Sequence, residues 1–124
     1  MREIKFRGKT YQGKWIYGYC YKVKSIFDSN IFNWFIRNDY EKDEMIIPET
    51  LSQYTGLKDK NGVEIYEGDR VKAKFYGKEV NGEIGFSDGC FLLWNSCISD
   101  NQLFIFTDIE VIGNIYEDLK ESGE

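Results

Sequence analysis

The sequence predicts a mainly β fold, and three observations support that prediction. The 124 residues include one proline and 12 glycines, and Tyr, Phe, Ile and Val are abundant, a composition that favours strands. Short segments alternate apolar with polar residues, as half-buried strands do. Turn signals such as Asn61-Gly62 separate these segments. We therefore expect a mainly β protein with, at most, one short helical turn.

The first half of the chain predicts a small antiparallel sheet. Strands are expected over residues 3–7, 14–24, 31–37 and 45–47, with a turn at 8–13 and a polar loop at 25–30. Pro48 stops the last of these strands. A single helical turn is expected over residues 49–53, because proline is tolerated at a helix start.

Residues 54–71 organise the rest of the chain around a hairpin. Asn61 and Gly62 can take positive φ at low cost, as a tight hairpin requires. Apolar residues that suit strands flank this pair on both sides. Gly68 and Asp69 then break the chain again, so these four positions are predicted structural turn residues.

The second half predicts a small barrel. Strands are expected over residues 70–75, 80–86, 90–94, 103–106 and 110–116, with a polar loop at 95–101. This pattern resembles an SH3-like barrel, an analogy of fold that implies no function. The expected domain organisation is an N-terminal sheet region over 1–53, the hairpin and barrel over 54–117, and a frayed acidic tail over 118–124.

Charge is distributed unevenly along the chain. The net charge is −5, which argues weakly against a protein that coats nucleic acid. Basic residues crowd the first 24 positions, and acidic residues dominate the last 25. We favour the interpretation that these are two solvated faces of one monomer. The alternative is head-to-tail attraction between subunits, which would build a ring or a filament.

The cysteine and histidine content excludes several classes of site. The three cysteines, Cys20, Cys90 and Cys97, have no metal-ligand spacing, and histidine is absent. We expect no metal and no disulfide framework. The first residues lack the apolar run of a signal peptide, and no segment is long enough to span a bilayer. A cytoplasmic protein without membrane attachment is expected.

One predicted strand carries a ladder of aromatic side chains. The side chains expected on one face are Trp15, Tyr17, Tyr19, Tyr21 and Val23. Cations lie nearby at Arg7, Lys9 and Lys14. We favour the interpretation that the ladder is packed as core, with tyrosine hydroxyls at its rim. The functional alternative is an exposed binding strand, with rings that could stack on bases and cations that could contact phosphates.

Carboxylates cluster around the predicted hairpin. Asp59, Asn61, Glu64, Glu67 and Asp69 offer oxygen ligands, but a calcium loop would need Gly at the place of Glu64. Turn chemistry explains Asp59 and Asn61 better. Acid–base catalysis by a pair of these carboxylates stays a minor alternative, because one sequence does not bring them together.

Several stretches resemble the YopX-like family of phage and prophage proteins. They are Arg7-Gly8-Lys9, Gly13-Lys14-Trp15-Ile16-Tyr17-Gly18, the long stretch from Pro48 to Leu57, residues 59–71, and the stretch from Val111 to Glu117. The resemblance spans nearly the whole chain. It implies a small cytoplasmic protein of temperate phages, with no established biochemical activity and no catalytic residues to transfer.

Three functional hypotheses follow. The first is a non-catalytic protein-interaction module that forms a homo-oligomer and binds a host or phage protein, without a cofactor. The second is a nucleic-acid-binding protein that uses the basic and aromatic N-terminal strand. The third is an enzyme that uses the hairpin carboxylates.

Overall fold

The computed structural model describes residues 3–95 and 98–117, and it is mainly β, as predicted. The strands are β1 Phe6–Lys9, β2 Trp15–Lys24, β3 Phe32–Arg37, β4 Asp43–Ile46, β5 Ser52–Lys58, β6 Glu64–Tyr66, β7 Asp69–Phe75, β8 Lys78–Ser87, β9 Cys90–Asn95, β10 Ile98–Gln102 and β11 Thr107–Asn114. Single 3₁₀ turns lie at Pro48–Thr50 and Leu103–Ile105. The chain forms two compact units, Met1–Tyr54 and Thr55–Glu124.

The first unit is an antiparallel sheet in the order β4-β3-β2-β1-β5, which confirms the predicted N-terminal sheet. Strand β2 changes partner along its length. Its first part, from Trp15 to Gly18, pairs with β1, and its remainder pairs with β3. Gly18 lies at this change, and a Cβ atom there would overlap the backbone carbonyl oxygen of Arg37. The close approach of the two strands therefore requires glycine.

The core of the first unit lies on the face of β2 opposite the aromatic ladder. Ile16, Ile36 and Ile46 form its buried centre. The ladder itself is largely exposed: Tyr17, Tyr19 and Tyr21 keep 46%, 58% and 37% of their surface. The interpretation of the ladder as core is therefore wrong. The alternation was predicted correctly, but the buried cluster that Ile16 forms with Ile36 of β3 and Ile46 of β4 lies on the other face.

The second unit begins with the predicted hairpin, in which the last residues of β5 neighbour β6. A five-stranded antiparallel sheet follows in the order β10-β9-β8-β7-β11. Its buried core residues are Ile65, Val71, Ala73, Ile84, Leu93, Leu103 and Phe106. No sheet in the described part of the chain closes on itself, so the SH3-like barrel is not confirmed.

Two predicted elements of the second unit are wrong. Residues 98–101 belong to the predicted polar loop at 95–101, but residues 98–102 form edge strand β10, which pairs with β9 despite its polar sequence. Residues 103–105, predicted as strand, form a 3₁₀ turn. Leu103 and Phe106 are both buried three positions apart, and that spacing brings side chains to one side of a 3₁₀ turn.

The hairpin loop differs in detail from the prediction. Gly62 has a φ of 84°, but Asn61 is not among the residues with positive φ. Asp59 and Val63 close the loop, since Asp59 N–H donates to the Val63 carbonyl over 2.7 Å. The loop therefore holds the three residues 60–62, and only its last residue, Gly62, has the left-handed conformation.

Some predictions fall on residues outside the described ranges. Cys97 and the acidic tail at 118–124 are among them. Across residues 3–95 and 98–117, no helix combines the length and the apolar character that crossing a membrane requires.

Candidate protein-binding surface

The strand register of the first unit gathers aromatic, apolar and charged side chains on one exposed face. Tyr19 lies opposite Arg37, which lies opposite Asp43. Tyr21 lies opposite Phe35, which lies opposite Met45. Side chains directly opposite each other project from the same face of a sheet. We call this surface the tyrosine face; it comprises Tyr17, Tyr19, Tyr21, Phe35, Arg37, Asp43 and Met45.

Contacts between neighbouring strands hold the centre of the tyrosine face in place. The rings of Tyr21 and Phe35 stack with centroids 5.4 Å apart and an interplanar angle of 14°. Arg37 donates two hydrogen bonds to the Asp43 carboxylate, at 2.8 Å from Nε and 3.1 Å from Nη2. The Tyr21 hydroxyl interacts with Asp43 as well, and this interaction contributes to the raised pKa of Tyr21. These contacts restrict the side chains before any partner binds.

The same contacts shift the ionisation of three groups. The hydrogen bond from Arg37, followed by the one from Tyr21, outweighs desolvation and lowers the pKa of Asp43. Asp43 raises the pKa of the Arg37 guanidinium through its hydrogen bond and its charge. Desolvation, and then the hydrogen bond to Asp43, raise the pKa of Tyr21. At neutral pH the centre of the face therefore presents the neutral Tyr21 phenol and one compensated ion pair.

Arg7 and Lys9 are buried at one end of this face, opposite Tyr17 and the half-buried Trp15. Both cationic side chains are buried, and both lie over the indole ring of Trp15. The guanidinium carbon of Arg7 is 4.8 Å from the ring centroid, and Nζ of Lys9 is 5.9 Å from it. Cations held against an aromatic ring in this way stabilise the sheet. Their burial argues against direct contact with a phosphate.

Lys14, the third predicted cation, is exposed and belongs to an ion pair. Its Nζ lies 3.2 Å from Oε2 of Glu44 in β4. An exposed pair of this kind contributes little to stability. The three cations that sequence analysis grouped with the ladder therefore do not form one accessible basic patch.

The hairpin carboxylates are engaged in the fold. Asp59 is buried and accepts hydrogen bonds from the backbone N–H groups of Asn61, Val63 and Val111. Asp69 is 1% exposed and accepts a hydrogen bond from Tyr66 N–H over 2.8 Å. Such acceptors satisfy backbone groups that the turns leave without strand partners.

Glu64 and Gly68 also have structural partners. The Tyr66 hydroxyl donates to Glu64 over 2.9 Å. Gly68 has a φ of 83°, and its carbonyl accepts a hydrogen bond from Ile115 N–H. A Cβ atom on Gly68 would come within 2.5 Å of the Tyr116 ring. The central and C-terminal sequence motifs thus meet inside the second unit, which gives their residues a role in folding.

The described residues contain no group of three or more acidic or cysteine side chains that could hold a metal ion. Cys20 and Cys90 are free and half-buried. Burial raises the pKa of the Cys20 thiol, which disfavours the nucleophilic thiolate.

Sequence reasoning missed four members of the tyrosine face. Phe35, Arg37, Asp43 and Met45 lie on β3 and β4, and only the pairing register shows that they share a face with the tyrosines. Alternation within each segment was a usable signal. A register between three strands cannot be inferred from that alternation alone.

The fold and this surface define a small all-β protein with an exposed, tyrosine-rich sheet face. The family model described as YopX protein matches residues 5–120, so the chain belongs to the YopX family. A crystal structure of protein EF1440 from Enterococcus faecalis is similar over 98% of this chain and 100% of that chain, with 29% sequence identity and a TM-score of 0.56. No curated protein matches the chain.

Proposed function

We propose that this chain is a non-catalytic accessory protein of phages and prophages, active in the host cytoplasm. It binds a protein partner through the tyrosine face and associates with further copies of itself. The observation that carries the proposal is the exposure of Tyr17, Tyr19 and Tyr21 on one ordered sheet face. The phage setting rests on the sequence resemblance to the YopX-like family.

The chemistry of the tyrosine face supports a protein partner. Tyrosine, methionine and arginine are enriched in protein interfaces, and the tyrosine ring supplies contact area at a low cost in side-chain entropy. Phe35 and Met45 add apolar area beside the rings, and the Arg37–Asp43 pair can exchange hydrogen bonds with polar groups of a partner. Stacking of Tyr21 on Phe35 lowers the entropy that binding would cost.

The burial and the hydrogen bonds of the hairpin carboxylates argue for a non-catalytic role. Asp59 and Asp69 are buried and bonded to backbone N–H groups, so neither offers an accessible pair of oxygens to a substrate. A general acid or base must reach the substrate proton directly or through one water molecule.

The experiment compares three baits, the wild type and two variants, in lysates of lysogenic cells. A protein captured by the wild type is expected to be lost with the double variant Tyr19→Ser/Tyr21→Ser. Tyr11→Ser is the matched control, because Tyr11 is an exposed tyrosine outside the face. The captured protein is then purified and titrated with all three. Equal binding by the double variant and the control would contradict the proposed surface.

A second candidate function is binding of single-stranded nucleic acid, which the exposure of the ladder favours. Aromatic side chains on an open sheet can stack with bases. The burial of Arg7 and Lys9 and the Arg37–Asp43 pair count against it. Fluorescence anisotropy with labelled single-stranded DNA and RNA at low ionic strength tests this candidate. If the protein binds with an affinity that depends on salt, and the Tyr19→Ser/Tyr21→Ser variant binds more weakly, the partner of the tyrosine face is nucleic acid and not protein.

A further inference from the structure

The edge of β2 that faces away from β3 has a strand partner along only part of its length. From Trp15 to Gly18 this edge pairs with β1, and beyond Gly18 it pairs with none of the described strands. The residue before β1 follows β5 instead, since Tyr54 N–H donates to the Lys5 carbonyl over 2.8 Å. We call this side of β2, from Cys20 to Lys24, the open edge.

Backbone donors and acceptors along the open edge point away from the sheet. Ser25 N–H donates to the Ile31 carbonyl over 2.8 Å, and hydrogen-bonded pairs alternate along an antiparallel ladder. The odd-numbered residues of β2 therefore bond β3, while the N–H and C=O groups of Cys20, Lys22 and Lys24 point to the open edge. A row of such groups is a template for one more strand.

The side chains along the open edge alternate between two kinds. Tyr21 and Val23 project on the side of the tyrosine face, and both are exposed. Lys22 and Lys24 project on the opposite side, and both are also exposed. Nζ of Lys22 lies 4.3 Å from the centre of the Phe32 ring, and neither lysine is ion-paired with a carboxylate of the described residues. The open edge thus combines apolar contact area on one side with two uncompensated positive charges on the other.

We propose that the open edge binds an extended segment of the partner protein as an added antiparallel strand. The inference rests on the proposed function and specifies how the partner reaches the tyrosine face. Backbone hydrogen bonds along the edge hold the segment, and side chains select it. Carboxylates of the segment pair with Lys22 and Lys24, while apolar side chains at the alternate positions contact Tyr21 and Val23. The recognised chemistry is a strand in which acidic and apolar residues alternate.

The two lysines also disfavour pairing between the open edges of two copies. In such a pair the lysines of both copies would lie on the same side of the joined sheet, and like charges on neighbouring strands destabilise it. Lysines on an exposed edge commonly prevent uncontrolled association between sheets in this way. The charges therefore favour an acidic segment over a second copy of this edge.

The first experiment follows amide hydrogen exchange by NMR in the full chain. The probe is a short peptide with blocked ends in which valine and glutamate alternate, and the control peptide alternates valine and lysine. At saturation with the valine–glutamate peptide, exchange of the Lys22 and Lys24 amides should slow at least about tenfold, because these groups become hydrogen-bonded. The Tyr21 and Val23 amides, already bonded to β3, should change little. Equal effects of the two peptides would overturn the inference.

The second experiment tests the backbone contact with the wild-type protein. In an antiparallel hydrogen-bonded pair the two opposite residues exchange both bonds, so the glutamate nitrogens of the peptide face Lys22 and Lys24 while the valine nitrogens point away. Methylation of the glutamate nitrogens should abolish binding, and methylation of the valine nitrogens should preserve it. Equal binding of the two methylated peptides would refute the added strand.

The third experiment reverses the charges. Lys22→Glu/Lys24→Glu should bind the valine–glutamate peptide at least about tenfold more weakly and the valine–lysine peptide more tightly than the wild type does. Lys58→Glu/Lys78→Glu is the matched control, because it makes the same change in net charge at exposed lysines of other strands. Equal loss of affinity in the two double variants would reduce the effect to net charge and contradict recognition at this edge.

The outcomes separate this inference from the proposed function. If the captured partner requires Tyr19 and Tyr21 but binds Lys22→Glu/Lys24→Glu as tightly as the wild type, and the peptide protects no amide, only the added strand fails. If the tyrosine variant binds the partner as well as its control does, the proposed function fails, and the peptide experiments still decide whether the edge accepts a strand.

Two further outcomes would assign the open edge to another ligand and overturn the inference. Single-stranded DNA that binds through Lys22 and Lys24 without protecting their amides would assign the lysines to phosphate groups. Protection of these amides that rises with protein concentration in the absence of peptide would assign the edge to a second copy.

Discussion

The side chain of Asp59 hydrogen-bonds the backbone N–H of Val111 in β11, and Oδ2 lies 2.9 Å from that nitrogen. The other carboxylate oxygen, Oδ1, accepts from Asn61 N–H and Val63 N–H within the hairpin loop. A single buried carboxylate thereby connects the hairpin loop to the last strand. Hydrogen bonds to a charged acceptor are the stronger kind, and they form here largely out of solvent.

The first prediction concerns Asp59→Asn. The amide can keep one oxygen for the loop, but its NH₂ group would then face the Val111 N–H, and two donors cannot bond each other. We expect a loss of about 2 kcal/mol in the free energy of unfolding. Urea denaturation at pH 7 measures it. Asp39→Asn, an exposed carboxylate in the β3–β4 turn, should leave stability unchanged.

The second prediction concerns pH. Burial raises the pKa of Asp59, but the hydrogen bonds from Val111, Val63 and Asn61, together with Lys60, outweigh it and lower the pKa below its ordinary value of 3.8. A carboxyl with a depressed pKa in the folded state stabilises the protein above its unfolded pKa, and that contribution is lost as pH falls through the folded pKa.

The stability difference between wild type and Asp59→Asn should therefore be constant from pH 7 to about pH 5 and shrink as pH falls below about 4. Urea titrations of both proteins across this range give the difference. A difference that grew on acidification would show that the sign assigned to the Asp59 shift is wrong.

The third prediction concerns the hairpin turn. Gly62 has a φ of 84°, and a Cβ atom there would have no neighbour within 4 Å. Gly62→Val therefore loses stability through the backbone alone, by about 2 kcal/mol, because a β-branched residue is strained in this region. Chemical denaturation measures the loss. An unchanged transition midpoint would contradict the left-handed conformation at this turn.

The fourth prediction concerns the β3–β4 loop, which has the same pattern of side-chain hydrogen bonds as the hairpin loop. Asn38 accepts hydrogen bonds from Tyr40 N–H and Lys42 N–H, as Asp59 does in its loop, and Glu41 has a φ of 62°. Glu41 thus holds the position that Gly62 holds in the hairpin. Glu41→Gly should raise stability by about 0.5–1 kcal/mol, because glycine removes the left-handed strain. Thermal and urea unfolding should both detect the gain, and a loss would refute it.

The fifth prediction concerns the change of partner in β2. Gly18→Ala should destabilise the protein by at least about 2 kcal/mol, because the added methyl group meets the Arg37 backbone and a backbone cannot move aside cheaply. Gly62→Ala is the matched control, since it tests a left-handed glycine in open space. Equal losses in the two alanine variants would remove the steric argument for Gly18.

The alternation of apolar and polar residues predicted most strands of this protein, but it did not predict which faces of those strands are buried. Alternation located β2 and assigned its residues to two faces correctly. It could not tell which face is covered, because burial depends on the strands that pack against it. The exposed pair Ile26 and Phe27 was overlooked because the turn residues around it dominated the interpretation of residues 25–30 as a polar loop, although two adjacent large apolar residues were a visible signal.

Local chemistry is what the sequence by itself determined: the strand periodicity, the glycine at the left-handed position of the hairpin, the acceptor role of Asp59 within its own turn, and the membership of the family. The tertiary structure decided the bond from Asp59 to Val111, the exposure of the tyrosines and the burial of Arg7 and Lys9. The reason is physical: turns and alternation arise from interactions between near neighbours along the chain, whereas burial arises from segments far apart in sequence.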